Sequence, residues 1–122
     1  VSEVIITKRF TFDAAHFLTQ YKGKCEALHG HTFTLEVSVK GTPDKEGMVI
    51  DYTLLKDIVR EAVVDRLDHT CLNDLFDFSP TSENLLFYMA DVLEPLLKTS
   101  RYRLHNLTLW ETANNRASLQ FP

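Results

Sequence analysis

The chain has 122 residues, 44% hydrophobic and 25% charged, which predicts one globular domain, 1–122, with a modest core. Its formal net charge of -4 argues against broad nucleic-acid binding, which needs a basic face, and no apolar run is long enough to span a membrane. Glu3, Lys8 and Arg9 leave the N-terminal stretch without the apolar centre of a signal peptide, and two cysteines are too few for a disulfide framework, so a reducing cytoplasm is the expected setting.

Residues 4–12, rich in Ile, Thr and Phe, read as a first strand. Residues 18–28 carry few strand signals and read as a loop. Phe33, Leu35, Val37 and Val39 then alternate with Thr34, Glu36, Ser38 and Lys40, the period of a half-buried strand. Gly41-Thr42-Pro43-Asp44 ends it, and the short apolar run Met48-Val49-Ile50 leads to Asp51. Leu54, Leu55, Ile58, Val59, Ala62, Val63 and Leu67 fall on one helical face, with Asp51 or Thr53 as the cap. A second helix opens at Pro80-Thr81-Ser82-Glu83, where a hydroxyl cap and an early Glu suit the positive helix end. It buries Leu85, Leu86, Met89, Ala90, Leu93 and Leu97, and Pro95 should kink it or end it early. Residues 103–111 read as a third strand, with Leu107 and Leu109 on the face that also carries Glu111, and residues 117–121 as a fourth. The order ββααββ predicts an α+β plan, two helices on one face of an antiparallel sheet. Four strands leave open edges, which invite pairing between subunits, so an oligomer is expected.

The chemistry concentrates in Cys25-Glu26-Ala27-Leu28-His29-Gly30-His31. On a strand, residues i and i+2 share a face, so His29 and His31 can aim at one metal ion. His16 ends a second apolar lead-in, Phe12-Asp13-Ala14-Ala15. Three neutral imidazoles with no obvious fourth protein ligand describe a catalytic zinc site with one open position. Iron, nickel and copper also accept imidazole, whereas magnesium and calcium prefer oxygen. Cys25 follows Lys22 and Lys24 and lies beside that cationic centre, which favours its thiolate as a base or nucleophile. Cys71 lacks such surroundings and reads as structural. In Asp68-His69 the carboxylate can orient an imidazole that relays protons, though the same pair also suits the end of a helix. Glu111 offers a carboxylate that matches a planar N–H/N–H edge, such as a 2-amino-pyrimidinone. Glu83 is simpler to read as part of a helix start.

Together these features resemble the 6-pyruvoyl-tetrahydropterin synthase/6-carboxy-tetrahydropterin synthase family. The resemblance rests on Phe12-x-Ala14-Ala15-His16, Cys25-x-x-x-His29-Gly30-His31, Gly47-Met48-Val49-Ile50-Asp51-Tyr52, Leu67-Asp68-His69, Pro80-Thr81-Ser82-Glu83-Asn84 and Trp110-Glu111-Thr112. It implies the tunnelling fold, with three subunits closing a barrel and two trimers stacking into a homohexamer whose active sites lie between subunits. It implies zinc on His16, His29 and His31, Cys25 as the proton-abstracting base, and Asp68 and His69 completing the relay from a neighbouring subunit. Glu111 would anchor a pterin ring, helped by Thr81, Ser82 and Glu83, and the substrate would be 7,8-dihydroneopterin triphosphate. Lys22 and Lys24 are candidates for its phosphates on charge alone.

Family members differ in product. The spacing Cys-x-x-x-His-Gly-His resembles the queuosine-type branch, which makes 6-carboxy-5,6,7,8-tetrahydropterin, acetaldehyde and triphosphate. The animal pyruvoyl enzyme has more residues between its Cys and the His pair. A third branch uses Glu-x-x-His-Gly-His to make 6-hydroxymethyl-7,8-dihydropterin, and Glu26 matches that spacing as well. The chain is therefore expected to be a zinc-dependent lyase of the carboxy type, with a second, folate-type activity through Glu26 in view. The pyruvoyl-type activity and a non-catalytic pterin-binding module are the alternatives, the last disfavoured because a binder has no need of His16, His29, His31 and Cys25 together.

Overall fold

A computed structural model describes residues 2–19 and 27–122. In chain order the elements are β1 (Val4–His16), β2 (His29–Gly41), α1 (Tyr52–Val59), a π-helical turn (Arg60–Val64), α2 (Asp65–Leu67), β3 (Thr70–Cys71), α3 (Leu72–Leu75), α4 (Ser82–Leu96), β4 (Tyr102–Thr112) and β5 (Asn115–Gln120). The expected α+β plan holds, with one correction to the strand count. The sheet has five strands in the order β3-β1-β2-β4-β5, because Thr70-Cys71 pairs in parallel with Ala14-Ala15. The other neighbours are antiparallel.

Two strands extend further than the local pattern predicts. β1 continues to His16 and β2 starts at His29, because the two pair without interruption from Val4↔Gly41 to His16↔His29. Ladder hydrogen bonds and cross-strand side-chain pairs override the weak intrinsic preference of Asp13-Ala14-Ala15 and Gly30. Phe12 and Phe33 face each other in this register and stack with ring centroids 5.0 Å apart.

The helices lie on one face of the sheet. The core between them takes Phe10, Phe12 and Ala14 from β1, Phe33 to Val39 at alternate positions of β2, and Leu107 and Leu109 of β4. Against these sit Leu55, Val59, Val63 and Leu67 from the first helical run and Leu85, Met89 and Leu93 from α4, all fully buried. Asp51 caps α1 by accepting from the Thr53 N–H at 2.6 Å, and Thr81 caps α4 by accepting from the Asn84 N–H at 3.1 Å. Pro95 lies in the last turn of α4, where the helix ends one residue later. The π turn was not foreseen: it widens the first helical run just before the Leu67-Asp68-His69 segment, and such turns often accompany functional sites.

The opposite face of the sheet is polar. Thr7 and Ser38 hydroxyls meet at 2.7 Å, Thr108 and Ser118 at 2.9 Å, and Arg9 bonds Glu36 at 2.6 Å. Among the described residues, β5 has no partner on its outer side, and β3 covers only Ala14-Ala15 of β1. The sheet of a single chain is therefore open at both edges. No described helix is long and apolar enough to cross a membrane.

Candidate metal centre

The β1–β2 pairing places His16 directly opposite His29, at the end of the sheet. His16 points into the core side and is 1% exposed. Its Nδ1 lies 2.9 Å from the Pro80 carbonyl oxygen, and the His29 Nδ1 lies 2.9 Å from the Ala27 carbonyl oxygen. A carbonyl oxygen can only accept, so each ring carries its hydrogen on Nδ1. In the neutral rings both Nε2 atoms are then lone-pair acceptors, and they face each other at 3.1 Å. Two such acceptors repel unless a proton or a metal ion lies between them. His31, two residues beyond His29 and on the same face, completes the group, with ring centroids 4.7 Å from His29 and 5.1 Å from His16.

A carboxylate joins from the third strand of the cluster. Glu111 falls where the β4–β5 register shifts between Trp110 and Thr112, an irregularity of the kind that re-aims side chains. One of its oxygens lies 3.2 Å from His31 Nε2, and the other accepts from the Ser82 hydroxyl at 3.2 Å. His16, His29, His31 and Glu111 each offer a ligand atom within 4.8 Å of all the others. Three imidazoles whose ring nitrogens converge fit a divalent transition metal, and the Glu111 carboxylate stands beside them.

A second group forms at the outer edge of β1, around Asp13. Side chains alternate along a strand, so Asp13 points away from His16, toward the polar face. The Asp13 N–H donates to Asp68 Oδ1 at 2.9 Å, and the His69 N–H donates back to the Asp13 carbonyl at 2.6 Å. Asp68 Oδ2 meets His69 Nδ1 at 3.0 Å, and Thr32 donates its hydroxyl to Asp13 Oδ1 at 2.5 Å. The Asp13 N–H, aided by His69, holds the Asp68 carboxyl below the usual aspartate range. His69 takes a left-handed backbone (φ 61), the one non-glycine residue among those described to do so. A cleft of about 430 Å³ lies beside Asp13, Thr32, His69 and His31.

The remaining candidates are scattered. Cys25, Glu26, Lys22 and Lys24 lie outside the described residues. Thr81 serves as the α4 cap and Ser82 bonds Glu111, while Glu83 is exposed in the first turn. Cys71 is half-buried on β3. Sequence reasoning missed Asp13 and Thr32, although their parity, opposite to His16 and His31, was readable. It also missed the Pro80 and Ala27 carbonyls, which as backbone groups leave no residue-type signal.

An α+β sheet with helices on one face, carrying three histidines and a glutamate at one end, defines a candidate metalloenzyme. The profile of 6-pyruvoyl tetrahydropterin synthases matches residues 5–121. A 6-carboxy-5,6,7,8-tetrahydropterin synthase of Synechocystis is 39% identical, over 93% of this chain and 90% of its own. A dihydroneopterin monophosphate aldolase of Pyrococcus furiosus is 42% identical, over 87% of this chain and 88% of its own. The structure of Caenorhabditis elegans 6-pyruvoyl tetrahydropterin synthase superposes with a TM-score of 0.83 at 26% identity, covering 99% of this chain and 97% of that one. The chain belongs to the 6-pyruvoyl tetrahydropterin synthase family, a family of enzymes, and its architecture is the tunnelling fold.

Proposed function

We propose that this protein is a zinc-dependent lyase that converts 7,8-dihydroneopterin triphosphate and water to 6-carboxy-5,6,7,8-tetrahydropterin, acetaldehyde and triphosphate. The observation that carries the reading is the pair of Nδ1-protonated histidines whose Nε2 atoms face each other at 3.1 Å beside His31. The match to the Synechocystis relative over nearly the whole chain supports the product.

Zinc held by His16, His29 and His31 would supply a Lewis acid that lowers the pKa of bound hydroxyls and of neighbouring C–H groups. Cys25 is assigned as the base that takes the substrate proton, its thiolate favoured by Lys22 and Lys24. Glu111 accepts from the N–H edge of the pterin ring, and the Ser82 hydroxyl keeps that carboxylate in place. Thr81 and Glu83 flank this subsite, and Lys22 and Lys24 are assigned to the phosphates. Asp68 orients His69 through Nδ1, which leaves Nε2 to give or receive a proton. Asp68 and His69 bond the Asp13 backbone at the outer edge of β1, whereas Glu111 approaches the histidine cluster from β4 on the other side of β2, so the pair is assigned to the site of a neighbouring subunit. That arrangement calls for a closed oligomer, and we assign it as a hexamer of two trimers.

A second reading has its own support. The Pyrococcus furiosus relative is named an aldolase, and Glu26 has the spacing that goes with a 6-hydroxymethyl-7,8-dihydropterin product. The experiment is product analysis by mass spectrometry after incubating zinc-loaded protein with 7,8-dihydroneopterin triphosphate, with an acetaldehyde assay alongside. Carboxy-tetrahydropterin with acetaldehyde is expected. Hydroxymethyl-dihydropterin without acetaldehyde would replace the first reading by the second.

A further inference from the structure

Asn84 closes the Pro80-Thr81-Ser82-Glu83-Asn84 motif and has no role in the chemistry above. Its side-chain amide turns back and donates to the Ser79 carbonyl at 2.9 Å. The same carbonyl accepts from the Thr81 N–H at 2.8 Å, and Thr81 in turn caps the Asn84 N–H. The Ser79 hydroxyl accepts from the Thr19 N–H at 3.1 Å, tying this turn to the chain just after His16. Between Ser79 and Thr81 sits Pro80, which is buried and has no N–H of its own to fix it. The direction of the Pro80 carbonyl is therefore set by the bonds on either side of it. That carbonyl holds His16 Nδ1, and His16 is almost wholly buried.

We propose that Asn84 is a positioning residue of the metal centre: its bond to Ser79 aims the Pro80 carbonyl at His16, which fixes the His16 tautomer and presents Nε2 to the ion. The inference rests on the three-histidine reading above. The partner bonded directly to a metal ligand, here the Pro80 carbonyl, orients it and keeps it basic, and losing such a partner typically weakens metal binding about 10- to 100-fold. Asn84 acts through that carbonyl, so the lower end of the range is expected.

The test is a chelator competition for zinc on the purified protein, with the melting temperature of the metal-free chain measured in parallel. Asn84→Asp is the main variant. It keeps the size of the side chain and puts a carboxylate in the first turn of α4, where negative charge suits the helix, but offers an acceptor to the Ser79 carbonyl. Asn84→Ser, too short to reach that carbonyl, is the second variant should the first fail to fold. Asn106→Ala, which removes one amide bond to Thr108 on the polar face of the sheet, is the control. Zinc binding about tenfold weaker in the Asn84 variants is expected, with the control unchanged and the metal-free melting of Asn84→Asp close to wild type. The His16 Nδ1–H signal in ¹⁵N-resolved spectra of the metal-free protein is expected to broaden or vanish in the same variants. Asn84 variants that bind zinc as wild type does overturn the proposal. A wild-type chain that binds no zinc overturns the three-histidine reading, and this proposal with it.

Discussion

His29 and His16 contribute equivalent ring atoms to the cluster but stand in different surroundings, and their loss separates binding from folding. His29 is half-exposed at a strand end, so His29→Ala is expected to lose the metal and keep the fold, as read by metal content per chain and far-ultraviolet circular dichroism. His16 is buried against Phe33, so His16→Ala is expected to lose the metal and also lower the melting temperature. Cys25→Ala is expected to keep full metal content and lose turnover. Full activity in that variant would remove Cys25 from the mechanism. Three carboxyls, half-buried Asp68 and exposed Asp44 and Glu3, contribute to stability on the acid side. Asp68 is held low by the Asp13 N–H, Asp44 by the Met48 and Glu46 N–H groups, and Glu3 by the Arg103 guanidinium. Each is more acidic in the folded chain than in the unfolded one, so each adds stability above the unfolded value of about 4. That stability falls away as the pH drops through the lower folded values. Urea midpoints measured between about pH 6 and pH 3 are expected to fall toward acid, and less steeply in Asp44→Asn than in wild type.

The strands show which parts of the fold were legible. Period-2 alternation in Phe33 to Val39 and helical spacing in Leu85 to Leu93 are signals that burial enforces directly, and the structure keeps both. β3 is two residues long, and two residues carry no period, so only the tertiary pairing with Ala14-Ala15 creates it. The π turn at Arg60–Val64 has no compositional signature either, since Arg, Glu, Ala and Val all suit an ordinary helix. In the candidate site, the histidines were legible because their parity follows from strand geometry. Glu111 was legible by the same parity, since it shares the face of Leu107 and Leu109, whereas the irregular register at Trp110 and Thr112 was not. Gly41 tests the packing of β2 against the turn before β4. A Cβ there would collide with the Arg101 carbonyl oxygen and come within 2.6 Å of the Tyr102 Cα. Both neighbours are backbone and have little room to yield. Gly41→Ala is expected to destabilise the chain by about 1–3 kcal/mol in equilibrium denaturation.

At the scale of the whole molecule, the open edges and the proposed sharing of the site between subunits point to one experiment. Light scattering is expected to give a mass several times that of the chain. Mixing inactive His29→Ala and His69→Ala proteins after dissociation and reassembly is expected to restore part of the activity. Each mixed interface can then combine an intact histidine cluster from one subunit with an intact Asp68–His69 pair from another. A fully active monomer, or no recovery on mixing, would place the whole reaction within one chain.

With His69 assigned to the proton relay, its left-handed backbone sets heat resistance and turnover against each other as objects of selection. A side chain in that conformation costs about 1–2 kcal/mol, part of which glycine would give back by losing more freedom on folding. His69→Gly is thus expected to melt no lower than wild type while losing turnover, the familiar trade between robustness and activity. A library randomised at this codon and screened for survival of heating alone would drift to glycine or asparagine. Screened for product, it would return to histidine.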